Sequence, residues 1–102
     1  MMSENNPAPA PLSVLIADDH TLILEIIGLV LENSPDIRLS TAISVDGAIE
    51  QLKKNGEFDL ILLDLDMPGM HGVETLKQIT ALNAGKPVGI ITGALPRVLS
   101  MR

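Results

Sequence analysis

Phe58-Asp59-Leu60-Ile61-Leu62-Leu63-Asp64 is the stretch on which the fold turns. Four consecutive large aliphatic residues, Leu60 to Leu63, stop abruptly at a carboxylate. A run of that length and abruptness predicts a strand covered on both faces, as in the middle of a parallel sheet. The Met67-Pro68-Gly69 that follows is a turn signal. Upstream, Val14-Leu15-Ile16-Ala17 is a similar apolar run, and it ends in Asp18-Asp19. Downstream, Val88 to Thr92 predicts a further strand.

Helical patterns separate these runs. Thr21 to Asn33 is rich in helix formers and closes at Asn33-Ser34-Pro35. Ile37 to Ile43 alternates Ile37, Leu39, Thr41 and Ile43 with Arg38, Ser40 and Ala42, which predicts a half-exposed strand near a sheet edge. Ser44 to Asn55 predicts a helix with Ala48, Ile49 and Leu52 as its apolar stripe and Asn55-Gly56 as its stop. Val73, Leu76, Ile79 and Leu82 recur at helical spacing, and Asn83-Ala84-Gly85 ends that helix. Pro96 suits the first turn of a last helix running toward Arg102. Strand and helix thus alternate with short connections. That order predicts an α/β doubly wound parallel sheet of about four strands with helices on both faces.

Composition sets the bounds. With 102 residues the chain has room for one small domain. Hydrophobic residues are 46% of the total and Phe58 is the sole aromatic, so the core is built from Leu, Ile and Val. No cysteine is present, which excludes a disulfide framework and thiolate metal sites and fits a reducing cytosol. The formal net charge is -6, and the seven basic residues are scattered, a poor arrangement for contacting phosphate backbones. Residues 1–11, MMSENNPAPAP, have neither the basic start nor the apolar core of a signal peptide. Alternate prolines there predict an extended, disordered leader, with the folded unit over residues 12–102. The most apolar stretch, Leu22 to Leu31, is interrupted by Glu25 and is too short to span a membrane.

In a doubly wound sheet, ligands bind beyond the carboxyl ends of the strands. Three predicted strands end there in reactive groups: Asp18-Asp19, Asp64 and Thr92. Two unit charges about 4 Å apart repel by roughly 4 kcal/mol at an effective dielectric near 20. Three carboxylates therefore call for a cation or a proton. An oxygen-only, partly open site suits Mg²⁺ or Mn²⁺, and one carboxylate could act as a nucleophile to form an acyl phosphate. Taken singly, an Asp after a strand is more often a turn former or helix cap. His20, His71 and Met70 are most simply surface or packing residues.

Val14 to His20, Leu62 to Gly72 and Ile90-Ile91-Thr92-Gly93 together resemble the receiver domain of two-component response regulators. Ala17-Asp18-Asp19-His20 and Met67-Pro68-Gly69-Met70-His71-Gly72 are most similar to regulators with a LuxR-type helix-turn-helix output. The resemblance implies a flavodoxin-like fold and a cytoplasmic phosphoacceptor, not an enzyme acting on a separate substrate. Asp64 becomes the phosphoacceptor, served by a sensor histidine kinase. Mg²⁺ (or Mn²⁺) is implied to bind Asp18, Asp19, Asp64 and the backbone carbonyl of Asp66. Thr92 becomes the switch hydroxyl. DNA is implied as a target only through an output domain that this sequence does not contain.

Such domains continue with a fifth strand, ending in a lysine and carrying an aromatic, and a fifth helix. Neither is visible, and Lys86 precedes the fourth strand, at the wrong end. The sequence is expected to be a receiver cut short, with the fourth strand as a bare edge and an over-apolar first helix. Self-association or completion by a missing C-terminal segment follows from that expectation. Two other readings compete. One is a non-phosphorylated dimerisation or interaction module. The other is an aspartyl phosphatase, since Asp64-Leu65-Asp66 resembles the Asp-x-Asp of haloacid-dehalogenase-like hydrolases, although it lies on the third strand and lacks that family's later acidic pair and lysine.

Overall fold

In a computed structural model, residues 10–91 are described in full and 98–101 by their backbone. The elements are β1 (Leu12–Ala17), α1 (Thr21–Leu31), β2 (Ile37–Ala42), α2 (Val45–Asn55), β3 (Leu60–Asp64), α3 (Val73–Leu82), β4 (Val88–Ile91) and β5 (Val98–Met101). Their order in the sheet is β2-β1-β3-β4-β5. The first four strands are parallel, and β3 lies at the centre, as its unbroken aliphatic run predicts. β2 is an edge, in keeping with its mixed composition.

Strand alternation divides the aliphatic residues between the two faces. Leu15, Ala17, Ile61, Leu63 and Val88 point to one face and form the main core with α2 and α3. From the helices come Val45, Ala48 and Leu52, then Leu76 and Ile79. Ser44 caps α2 by accepting a hydrogen bond from the Gly47 N–H at 3.0 Å. The opposite face, with Val14, Leu60 and Leu62 half-buried, carries α1. There only Leu24 of the helix is buried, while Leu22, Leu29 and Val30 are 65%, 68% and 71% exposed.

Three expectations need correction. Val98–Met101 is a strand antiparallel to β4, with Ile91 opposite Val98 and Val88 opposite Met101, and is not part of a last helix. The physical reason is the row of unpaired N–H and C=O groups that β4 would otherwise present. For the same reason β4 is not a bare edge. In β2, Ala42 is buried whereas Thr41 and Ile43 are exposed, because Ala42 packs over the start of α2 and the alternation breaks at the end of the strand. Pro96 and most of the expected leader (1–9) lie outside the described residues.

One buried side chain outside the sequence expectations holds the far end of β3. Asn83, fully buried after α3, accepts from the Phe58 N–H at 2.7 Å and donates to the Phe58 carbonyl at 2.9 Å. Asp59 is held to Ser13 at the same end, and Lys86 lies 3.5 Å from Glu57 and 3.7 Å from Asp59. Lys86 is therefore at the amino end of the strands, away from the acidic ends, as its place in the sequence implies.

Candidate functional site

The register of the sheet brings the predicted acids together. Ala17 pairs with Leu63, so Asp18-Asp19 and Asp64 leave neighbouring strands at the same end. Carboxylate oxygens of Asp18, Asp19 and Asp64 and the Nδ1 of His20 all lie within 4.8 Å of one another. Asp18 and Asp64 are buried, at 5% and 2% exposure, whereas Asp19 and His20 stand at the mouth. The pocket thus has a buried floor and an open rim.

The two buried acids are held by backbone. The Asp18 N–H continues the β1–β2 ladder by donating to the Ala42 carbonyl at 2.9 Å. Oδ1 of Asp64 accepts from the Asp66 N–H at 3.3 Å. Oδ2 of Asp64 is buried without a hydrogen-bond partner, the only such side-chain atom among the described residues. An unpartnered buried oxygen of this kind is expensive unless something outside the chain meets it. Burial pushes the Asp64 carboxyl above its ordinary value, and the charges of Asp18 and Asp19 push the same way against the Asp66 N–H.

His20, read from the sequence as a surface or packing residue that could approach the site, is exposed and reaches the acidic cluster. Its backbone N–H and its Nδ1 both lie 2.8 Å from Oδ1 of Asp18. Nδ1 is also 3.3 Å from Asp19 Oδ1 and 3.6 Å from Asp64 Oδ2. The hydrogen bond to Asp18 and the nearby acidic charges raise the imidazole above its ordinary value. The available signal was positional: a residue directly after a strand-end acidic pair, opening a helix, has little freedom to point elsewhere. His71 is not in the cluster; its N–H donates to the buried Thr75 Oγ1 at 2.8 Å and starts α3.

Asp66 is exposed and its carboxylate is not among the clustered groups. The turn after it is locked onto α2. The Val45 N–H donates to the Pro68 carbonyl at 3.1 Å, and Gly69, at φ +85°, would bring a Cβ to 3.0 Å from Val45 Cβ. Thr92 lies outside the described residues; its predecessor Ile91 pairs with Asp64.

The donor set fits a hard divalent cation: three clustered carboxylates, two of them buried, one of which has an oxygen without a partner. The comparisons with known proteins agree with the fold. Residues 14–98 match the model of the response regulator receiver domain, and the chain belongs to that family. It is 36% identical over 80 residues to the glycerol metabolism activator of Pseudomonas putida, covering 78% of this chain and 36% of that protein. A CheY-like receiver domain from Methanospirillum hungatei superposes with a TM-score of 0.71 at 28% identity, over 82% of this chain and 66% of that one. RcsB of Salmonella enterica serovar Typhimurium, bound to a promoter in the presence of the phosphomimetic BeF3−, has a TM-score of 0.67 at 26% identity, over 79% of this chain and 42% of its own. The chain spans about a third of the length of the activator.

Proposed function

We propose that this receiver takes a phosphoryl group onto Asp64 from the phosphohistidine of a sensor kinase. A carboxylate oxygen of Asp64 attacks phosphorus, the bond from phosphorus to the histidine nitrogen breaks, and an acyl phosphate results. The observation that carries this reading is Oδ2 of Asp64, buried and without a partner, on a carboxylate that clusters with those of Asp18 and Asp19. Asp18, Asp19, Asp64 and the backbone carbonyl of Asp66 would hold Mg²⁺ or Mn²⁺, which supplies positive charge against the phosphoryl oxygens. Thr92 is assigned the switch hydroxyl, on the strength of its place after Ile91. Residues 12–102 are taken as the working unit.

The remaining parts of the reading rest on family membership. The chain is placed in the cytoplasm; no helix among the described residues is long and apolar enough to cross a membrane. Transcriptional control is proposed through an output domain, in the manner of the promoter-bound RcsB. A second reading, an interaction module working without phosphorylation, is favoured by one observation: the outward face of α1 carries exposed Leu22, Leu29 and Val30. On either reading self-association through α1 is proposed.

Incubation with a small acyl-phosphate or phosphoramidate donor, followed by intact mass, tests the assignment. One added phosphoryl group is expected in the wild type, none in Asp64→Asn, and most of it in Asp66→Asn. Equal loss in both variants would return the reading to Asp-x-Asp chemistry. Absence of incorporation in the wild type would leave the interaction module.

A further inference from the structure

We propose that His20 is a nitrogen donor to the cation of this pocket, and that it biases the site toward later first-row transition-metal ions such as Co²⁺ at the expense of Mg²⁺. The inference rests on the reading that Asp18, Asp19 and Asp64 hold a divalent cation.

The geometry is that of one donor set. Neighbouring donors around an octahedral ion with bonds of about 2.1 Å are roughly 3.0 Å apart. The separations of Nδ1 from the three carboxylates, 2.8, 3.3 and 3.6 Å, bracket that edge. The independent sign that something binds here is the buried, unpartnered Oδ2 of Asp64, which faces this same nitrogen.

Local structure explains why the ring is there. His20 is the N-cap residue of α1 but makes no side-chain cap bond, so its ring is not engaged with the helix. Its main chain is tied to Asp18, and its side chain is 62% exposed, so apolar packing does not hold the ring in place. Among the described residues its ring hydrogen-bonds to Asp18 alone.

The chemistry follows from ligand type. Mg²⁺ binds oxygen and tolerates imidazole poorly, whereas the later first-row ions accept it readily. Ligation uses the neutral ring with its proton on Nε2; any second proton passes to water, and the Nδ1 hydrogen bond to Asp18 is given up.

Calorimetric titration of the 102-residue chain with Mg²⁺ and with Co²⁺ separately tests this, with His20→Asn as the variant because Asn is a good N-cap. His71→Ala controls for the only other imidazole. Later ions bind most nitrogen and oxygen sites more tightly anyway, so the decisive quantity is the Co²⁺ to Mg²⁺ affinity ratio in wild type against variant. That ratio is expected to fall by about tenfold or more in His20→Asn and to stay put in His71→Ala. The visible spectrum of bound Co²⁺ should also shift on loss of the nitrogen. An unchanged ratio and spectrum overturn the proposal, as does equally tightened binding of both ions, which would make the imidazole a competitor. Failure of the underlying reading looks different: Asp19→Asn and Asp64→Asn would then leave Mg²⁺ binding untouched, or the wild type would bind neither ion.

Discussion

The Nδ1 of His20 stands 3.6 Å from Oδ2 of Asp64, an oxygen that is buried and receives no hydrogen bond. The two residues come from different strand ends, and one ligand atom from each of them and from Asp18 and Asp19 lies within 4.8 Å of the others. Without a bound cation, the imidazole is, among the described residues, the basic group that lies within 4 Å of all three acids. Charge balance in this pocket therefore governs how stability responds to cations and to pH.

Cation binding should stabilise the fold. At ten times its dissociation constant, a ligand bound only by the native state adds about 1.4 kcal/mol. Thermal unfolding in increasing Mg²⁺ or Mn²⁺ is expected to shift upward in the wild type and much less in Asp19→Asn. With cations removed, Asp64→Asn should melt above the wild type, because it takes away a carboxylate held up by burial and by Asp18 and Asp19. An unchanged wild-type melt at millimolar Mg²⁺ would count against the assignment.

The pH dependence of the cation-free protein has a definite sign. His20 is raised in the native state, chiefly by its hydrogen bond to Asp18 and by the charges of Asp18 and Asp19. Its contribution is fully present below the unfolded value of about 6.5 and is lost as pH rises through the native one. Asp64 is raised as well, so its contribution declines as pH climbs from about 3.9 toward its native value. Denaturant midpoints should therefore fall as pH rises above 6.5, and His20→Ala should flatten that limb. An equal slope in the variant would show that the imidazole is not engaged with these acids.

Asn83→Ala should be strongly destabilising although the residue is far from the acidic pocket. Its fully buried amide satisfies both the N–H and the carbonyl of Phe58, and truncation strands both groups. Each unsatisfied buried group costs about 1–3 kcal/mol. Against a typical domain stability of about 5–15 kcal/mol, this is a large share. Urea unfolding would measure it, and a loss below about 0.5 kcal/mol would mean that water replaces the amide.

Self-association is expected through α1 and not through the edge of β4. Leu22, Leu29 and Val30 are exposed on the outward face of the helix, whereas β4 is paired by β5. Each large aliphatic side chain moved from water to an apolar contact gains roughly 1.5–3 kcal/mol. Sedimentation of the wild type should show dimers or larger species, and replacing these three residues with Gln should shift the distribution toward monomer. A cooperative melt from a clean wild-type monomer would refute this.

What the sequence determined by itself was the frame and the acids at its end. The runs Val14–Ala17, Leu60–Leu63 and Val88–Ile91 are legible because burial on both sides of a strand leaves an uninterrupted aliphatic signature. Asp18, Asp19 and Asp64 are legible because alternation with helices makes the strands parallel and sends their carboxyl ends to one side. Tertiary structure decided the rest. The ring of His20 is directed by carboxylates from two strands, and a cap position in the sequence carries no record of that. Asn83 has the look of a helix stop until Phe58 is brought beside it. Val98–Met101 becomes a strand only because β4 offers it backbone partners, and a short segment takes its conformation from what it can pair with. Pattern records which residues are buried; direction and partnership depend on groups that only the fold brings into reach.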